Sequence, residues 1–125
     1  MNISDPLARP LVTAAVTRGA LRACLDLGYS PLLEVPLANG RRADVCGINA
    51  KGQIVIIEVK SCVADFAVDF KWTDYEDFCD LFYFAVPQTT YEPILAALSG
   101  AGLLDESGRG GAWCHLLLEK PFGSD

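Results

Sequence analysis

Three charged residues in the middle of the chain have types and a spacing that suit chemistry. Asp44 is followed, after thirteen intervening residues, by Glu58 and Lys60, and the last two close a run of four aliphatic residues at positions 54–57. Such a run predicts a strand that is buried on both faces. Alternation along the strand places Glu58 and Lys60 on the same face. Charges at that place are costly to bury unless they have a partner or a use.

The turn before this strand decides whether Asp44 and Glu58 meet. Residues 49–52, Asn-Ala-Lys-Gly, predict a type I turn with glycine in the left-handed position of a three-residue loop. This loop pairs Asn49 with Gln53, and counting outward places Asp44 opposite Glu58. Directly opposed side chains lie roughly 4.5–5.5 Å apart at Cβ, so the two carboxylates would be neighbours.

Two adjacent carboxylates in an apolar sheet repel each other and raise each other's pKa. A divalent cation between them removes this penalty, and hard oxygen ligands on two strands suit Mg²⁺ or Mn²⁺. Lys60, one pleat further on, would orient or activate a water molecule or neutralise charge on a phosphoryl oxygen. The alternative is a purely structural ionic cluster of the carboxylates with Lys60 and Arg42.

A helix is predicted before the strands. Ser4 or Asp5 would cap it, Pro6 or Pro10 suits its first turn, and Gly28 would end it. Its apolar residues recur at helical spacing: Leu11, Val12, Ala15, Val16, Ala20, Leu21, Cys24 and Leu25. Arg18 and Arg22 share its polar flank, where a solvated face is favoured over contact with phosphate.

Further elements follow from apolar runs and turn residues. Strands are predicted at 32–37, 41–48 and 81–86, and Asn39-Gly40 predicts a two-residue hairpin loop between the first two. A helix is expected through residues 71–78, and a short helix at 91–98 precedes two short strands at 103–104 and 113–118. His115, the only histidine, lies in the last of these and is expected to be a packed or edge residue.

Length and composition predict one α/β domain over residues 1–125. No apolar run has the length of a membrane span, and the N-terminus lacks the pattern of a secretory signal. The five cysteines are scattered without a C-x-x-C pair. They fit reduced thiols in a cytoplasmic protein and not a zinc site or a disulfide framework.

The charge is unevenly distributed. Residues 1–71 carry eight Lys/Arg and seven Asp/Glu, whereas residues 72–125 carry two and nine, and the whole chain has a net charge of −6. This balance argues against indiscriminate binding of nucleic acid, because phosphate contacts supply most non-specific affinity. A nucleic-acid role would have to use the first part of the chain.

The motif Asp44…Glu58-Val59-Lys60, in a helix–strand–strand–strand order, resembles the PD-(D/E)XK nuclease superfamily. Further segments resemble its MmcB-type DNA repair proteins over roughly residues 10–87. These segments are Arg41-Arg42-Ala43-Asp44-Val45, Ile57-Glu58-Val59-Lys60-Ser61, Val63-Ala64-Asp65-Phe66, Lys71-Trp72-x-x-Tyr75 and Cys79-Asp80-x-x-Tyr83-Phe84-Ala85-Val86. The motif's leading proline is replaced here by Ala43.

The resemblance implies a restriction-endonuclease-like core: a four-stranded mixed sheet flanked by helices in the order αβββαβ. The predicted C-terminal elements add a small αββ extension. The resemblance also implies Mg²⁺ held by Asp44, Glu58 and the carbonyl of Val59, and phosphodiester hydrolysis with Lys60 assisting the attacking water.

Auxiliary residues are implied in the same way. Superfamily members often carry Gln or Lys followed four residues later by Tyr, a pattern that Lys71 and Tyr75 match. Both would reach a phosphate or the site, and packing in the core is the alternative for Tyr75. Many members carry an acidic residue on the first helix; this chain has none in the helix body, so Glu34 is the nearby substitute.

Two functional interpretations remain open. The first is a Mg²⁺- or Mn²⁺-dependent DNA endonuclease acting in repair on branched, damaged or single-stranded DNA. The second is a module that keeps the nuclease fold but binds DNA or a repair partner without cutting. A homodimer or a partner protein is expected with either, because a domain of this length offers little surface to position a duplex.

Overall fold

The computed structural model describes residues 9–60, 74–87 and 114–119. These residues form one α-helix, five strands and a short 3₁₀ helix. In chain order they are α1 (Arg9–Asp26), β1 (Ser30–Pro36), β2 (Arg42–Ile48), β3 (Ile54–Val59), the 3₁₀ helix (Glu76–Phe78), β4 (Leu81–Pro87) and β5 (Cys114–Glu119). None of the helices in these ranges is long and apolar enough to cross a membrane.

The strands form a single mixed sheet in the order β1-β2-β3-β4-β5. β1, β2 and β3 pair antiparallel, whereas β4 runs parallel to β3 and β5 runs parallel to β4. The predicted four-stranded mixed sheet is therefore confirmed. β5, which belongs to the predicted C-terminal extension, adds a fifth strand beside β4.

Several predicted elements lie wholly or partly outside the described residues. These are the start of the 71–78 helix, the helix at 91–98 and the strand at 103–104. The described end of the first of these is 3₁₀ at Glu76–Phe78, not α-helical. The single domain over residues 1–125 stays a prediction.

The end of α1 follows from Gly28. The Tyr29 N–H donates to the Cys24 carbonyl at 2.9 Å and the Gly28 N–H donates to the Leu25 carbonyl at 3.0 Å. This is the Schellman pattern, which needs a left-handed residue, and Gly28 has φ +90. The predicted helix end is therefore confirmed.

The helix packs on the sheet through a narrow stripe of small side chains. Val16, Ala20 and Cys24 are buried against apolar residues of three strands: Val45, Val55, Ile57 and Ala85. Leu11 and Leu25, which belong to the apolar pattern of the sequence, are 59% and 60% exposed, so the stripe that packs is narrower than that pattern. At 3.6 residues per turn, both positions fall on the side of the helix away from the stripe.

The opposite face of the sheet is aromatic. Phe82 and Phe84 on β4 pack edge to face with ring centroids 5.0 Å apart, and Ile56 on β3 is fully buried beside them. Alternation along β3 puts Glu58 on this face, two residues after Ile56. The charged residues singled out in the sequence therefore lie on the face away from α1.

The β2–β3 hairpin has the predicted register. The Asn49 N–H donates to the Gln53 carbonyl at 3.1 Å, the Gly52 N–H donates to the Asn49 carbonyl at 3.0 Å, and Ile48 pairs with Ile54. Gly52 has φ +79, the left-handed conformation that closes a three-residue loop.

The β1–β2 hairpin differs from its prediction. The Leu37 N–H donates to the Arg41 carbonyl at 2.7 Å, and the Gly40 N–H donates to the Leu37 carbonyl at 3.0 Å. The loop therefore has three residues, 38–40, and not the two predicted for Asn39-Gly40. A two-residue loop would have placed Asp44 opposite Val35, whereas the observed register places it opposite Glu34.

Candidate active site

Asp44 and Glu58 meet where the β2–β3 ladder ends. The last backbone pair on this side is Val45 with Ile57, and one step further Asp44 faces Glu58. The Asp44 N–H donates to Oε2 of Glu58 at 2.7 Å, and the Val59 N–H donates to Oδ2 of Asp44 at 2.8 Å. Each carboxylate thus accepts a backbone N–H from the other strand, and this exchange fixes both side chains.

Burial dominates the electrostatics of this pair. Glu58 is 6% exposed and is the only buried charged residue in the part of the chain whose burial is described. Burial, and then the charge of Asp44, raise the pKa of Glu58 to about 7. Burial also raises the pKa of Asp44, although the Val59 N–H and Glu58 act against the shift. Near neutral pH burial therefore favours protonation of the pair, with the larger shift at Glu58.

Lys60 directly follows β3. Its N–H donates to the Ala85 carbonyl at 3.0 Å, which continues the pairing of β3 with β4 beyond the last strand residue. Its ammonium lowers the pKa of Asp44, so it lies within electrostatic range of the acidic pair. Asp44, Glu58 and Lys60 are therefore brought together at one end of the sheet.

Tyr75 joins the pair from the segment before β4. Tyr75 is 8% exposed, and its ring lies 5.4 Å from the Phe82 ring, centroid to centroid. Its hydroxyl lies near enough to the Glu58 carboxylate to lower the pKa of Glu58. Burial, and then the interaction with Glu58, raise the pKa of Tyr75, so the hydroxyl keeps its proton. Tyr75 therefore both packs in the core and lies at the site.

Glu34 lies at the margin of the site. It is exposed, and its charge is a minor contribution that raises the pKa of Asp44. It has φ +51, in the left-handed region, and the β1–β2 ladder skips the pair of Glu34 with Asp44 although the pairs on both sides are present. The register places Glu34 opposite Asp44 on the neighbouring strand.

Two predicted basic residues remain. Arg42 is exposed at the start of β2, two residues before Asp44 and on the same face. Lys71 lies outside the described residues, and its predicted auxiliary role stays a prediction.

Contacts that the sequence did not reveal link the first hairpin to Asp74, the residue before Tyr75. Arg41 forms an ion pair with Asp74, with its terminal nitrogen 2.9 Å from Oδ2, and Asn39 donates to the Asp74 backbone carbonyl at 2.8 Å. The Asn-Gly dipeptide was interpreted only as a turn signal. Contacts with a residue 33 to 35 positions away leave no local pattern that could have predicted them.

The donor set of the pair is made of oxygen atoms. Within the described ranges, no three His, Cys, Asp or Glu side chains converge in a way that could hold a metal ion. The predicted ligand set of Asp44, Glu58 and the Val59 carbonyl has only two such side chains. It therefore stays a prediction.

These features define a class of protein. The described part of the chain has one helix, three antiparallel strands and a parallel fourth strand. Asp44, Glu58 and Lys60 lie together at the ends of β2 and β3. This arrangement is restriction-endonuclease-like. A model of the MmcB-like DNA repair protein family matches residues 7–118. The chain belongs to this family.

Two solved structures resemble the chain. A protein of unknown function from Silicibacter pomeroyi is 36% identical with a TM-score of 0.60, over 66% of this chain and 57% of that one. A repair endonuclease from Pyrococcus abyssi is 18% identical with a TM-score of 0.49, over 86% of this chain and 46% of the endonuclease. The chain thus spans less than two thirds of either structure. No curated protein matches the sequence.

Proposed function

We propose that this chain is a metal-dependent nuclease that hydrolyses phosphodiester bonds of DNA during repair. The observation that carries the proposal is the acidic pair. Asp44 and Glu58 are held side by side by reciprocal backbone hydrogen bonds, and burial raises the pKa of both carboxyl groups. Holding two such groups in a sheet destabilises the fold, so their arrangement is best explained by a cation that they bind.

The residues fit Mg²⁺ or Mn²⁺ by the chemistry of their donors. Asp44 and Glu58 would provide carboxylate oxygens and Val59 its carbonyl, and these hard ligands suit such ions better than softer metals. Glu34, close enough to affect Asp44, would add negative charge at the rim. When bound, the ion supplies a Lewis acid that stabilises negative charge on a phosphoryl oxygen.

The side chains of the chain have separate roles in this proposal. Lys60, within electrostatic range of Asp44, would orient the attacking water and stabilise developing negative charge. Arg42, exposed on the same face, would bind a phosphate of the DNA backbone. Tyr75 would hold the Glu58 carboxylate in one orientation, and Lys71 would bind phosphate beside it.

The partner in this proposal is DNA that is branched, damaged or single-stranded. Membership of a DNA repair family supports an interaction with DNA. A homodimer or a repair protein would supply the remaining surface, and the size of the protein in solution tests the dimer. The cytoplasmic location expected from the sequence stays a prediction.

A non-cleaving DNA- or partner-binding module is the second candidate. Two observations favour it. The only acidic residue of α1 is Asp26, at its last position, and the chain has a net charge of −6. Such a module would keep the fold and would not need Lys60 for its function.

Cleavage of a panel of labelled DNAs separates the two candidates. Single-stranded, duplex, nicked and branched substrates are incubated with Mn²⁺ or Mg²⁺ and with the wild-type or Glu58→Gln protein. Asp26→Asn is the matched control, because it neutralises an exposed carboxylate at the end of α1. The proposal predicts cutting that needs metal and Glu58 but not Asp26. Binding without cutting of any substrate would overturn the nuclease and support the binding module.

A further inference from the structure

The loop between β1 and β2 is tied to the segment that carries Tyr75. Arg41 contacts a single oxygen of Asp74 twice: Nε donates to Oδ2 at 3.0 Å and the terminal nitrogen lies 2.9 Å from the same atom. Asn39 donates from Nδ2 to the Asp74 backbone carbonyl at 2.8 Å. Asp74 is therefore held through both its side chain and its backbone.

The loop is itself shaped to present these groups. The Arg41 N–H donates to Oδ1 of Asn39 at 3.0 Å, and the three-residue loop is closed by the left-handed Gly40, with φ +87. Asn39 thus bridges its own loop and Asp74 with the two ends of one amide. The exposed loop therefore presents Asn39 and Arg41 to Asp74.

Asp74 directly precedes Tyr75, and the far end of the same segment is also anchored. The Ile54 N–H donates to Oδ2 of Asp80 at 2.7 Å, and the Asp80 N–H donates to the Ile54 carbonyl at 2.7 Å. Tyr75 lies between the two anchors, with its ring against Phe82 and its hydroxyl near enough to Glu58 to affect the pKa of that carboxyl group. The position of this hydroxyl consequently depends on both ends of the segment.

We propose that Arg41 is a positioning residue, which acts through Asp74 to hold the Tyr75 hydroxyl on the Glu58 carboxylate. This proposal rests on the proposed function, because in that function the orientation of Glu58 matters for binding the metal ion. Arginine suits the task because its planar fork fixes direction as well as distance, which a lysine ammonium does not. The nitrogens that contact Asp74 cannot contact a DNA phosphate at the same time. Binding of phosphate by Arg41 is therefore the alternative to the positioning role.

Tyrosine labelled with ¹³C at Cζ provides a direct readout of this hydroxyl. The chain has four tyrosines, so the spectrum is simple. The signal that is absent from the spectrum of the Tyr75→Phe variant is that of Tyr75. Arg41→Ala and Asp74→Asn are compared with Arg18→Ala, which removes an exposed arginine from α1. The measurement needs neither metal nor DNA.

The direction of the change distinguishes positioning from a simple electrostatic effect. Arg41→Ala removes a positive charge and Asp74→Asn a negative one, so a pure field effect moves the Tyr75 signal in opposite directions. A lost anchor moves it in the same direction in both variants. We expect shifts of the same sign in these two variants and none in Arg18→Ala. Opposite shifts, or no shift, would overturn the proposal.

Mn²⁺ affinity and cleavage give a second readout. Groups that orient a metal ligand typically contribute about 10- to 100-fold to metal affinity or activity. We therefore expect Tyr75→Phe and Arg41→Ala each to lower Mn²⁺ affinity, the cleavage rate or both by about tenfold. The double variant should be no worse than Tyr75→Phe alone. Full additivity of the two effects would assign Arg41 a separate role, such as phosphate binding, and overturn the proposal.

The outcomes keep this proposal apart from the nuclease. A same-sign shift of the Tyr75 signal in a wild-type protein that cuts no DNA would reject the nuclease and retain the positioning role. Normal cutting by Arg41→Ala, with an unmoved Tyr75 signal, would reject the positioning role and retain the nuclease. If Arg41→Ala does not fold, Arg41→Lys gives the same comparison, because lysine keeps the charge but loses the fork.

Discussion

At the scale of single residues, Asp44 and Glu58 are held in place by backbone hydrogen bonds. Each accepts an N–H from the opposite strand at 2.7–2.8 Å. These bonds favour the charged forms, while burial raises the pKa of both carboxyl groups. The pair therefore experiences two opposing effects, and the cation of the proposed function would displace the proton that burial favours.

The raised pKa of Glu58 predicts a pH dependence of stability. Its pKa is about 7 in the folded protein against 4.5 for an ordinary glutamate, so the folded chain keeps a proton that the unfolded chain releases. The stabilising contribution is complete below about pH 4.5 and is lost as the pH rises through about 7. The shift corresponds to about 3 kcal/mol at most.

Urea unfolding with a metal chelator, at pH 5 and pH 8, measures this contribution. Wild type should lose more free energy of unfolding between these pH values than Glu58→Gln, which cannot titrate at this position. Equal losses in the two proteins would contradict the assignment of the proton to Glu58.

Lys60 should matter for chemistry more than for the metal. Lys60→Ala is expected to lower the rate of DNA cleavage by at least about 100-fold, the typical cost of removing one preorganised electrostatic group. Mn²⁺ affinity should change little, because no ligand is lost. Calorimetry and single-turnover cleavage on the same preparation measure both; loss of metal binding together with cleavage would assign Lys60 a structural role instead.

At the scale of elements, the two hairpins show how much local sequence can predict. The β2–β3 loop followed from Gly52, because a left-handed position closes a three-residue loop, and this register places Asp44 opposite Glu58. The β1–β2 loop did not follow from Asn39-Gly40. There the asparagine side chain bonds to Arg41 and Asp74, and the second of these contacts is tertiary.

The same limit applies to the helix and to Tyr75. Helical periodicity predicts α1, and Gly28 predicts its end. The apolar pattern is wider than the stripe that packs, and Leu11 and Leu25 lie exposed. Spacing suggested that Tyr75 lies near the site. It could not show that the ring packs on Phe82 while the hydroxyl reaches Glu58.

The close approach of α1 to the sheet predicts a strong effect at Gly47. A Cβ at this position would lie 2.6 Å from Sγ of Cys24, 3.0 Å from Cβ of Tyr29 and 3.1 Å from Cγ1 of Val55. Gly47→Ala should therefore lower the free energy of unfolding by about 1–3 kcal/mol, as overpacked cores do.

Chemical denaturation of single and double variants tests the cause. In Gly47→Ala/Cys24→Ala the nearest clash is removed, so the double variant should be more stable than the sum of the single effects predicts. Simple additivity would show that the contact with Cys24 is not what excludes a side chain at Gly47.

At the scale of the whole molecule, charge limits how the chain would hold DNA in the proposed function. The net charge is −6, and most of the excess acid lies in residues 72–125. Near the acidic pair, Arg42 and Lys60 supply positive charge at the ends of β2 and β3. Binding through so few phosphate contacts should be weak and only modestly dependent on salt.

Arg42→Ala should weaken binding of all DNA sequences alike and reduce the slope of log affinity against log salt by about 1, the value for one phosphate contact. Fluorescence anisotropy without divalent cations measures the slope, and Arg18→Ala is the control because this arginine lies exposed on α1. Equal slopes for wild type and Arg42→Ala would place Arg42 away from the DNA backbone.

The most direct test of the account is a calorimetric titration of the protein with Mn²⁺ near pH 7. The account predicts binding by wild type and Asp26→Asn, with release of the proton that burial retains on Glu58. Asp44→Asn and Glu58→Gln should abolish or strongly weaken this binding while remaining folded. No binding by wild type, or equal binding by all four proteins, would contradict a metal site at Asp44 and Glu58.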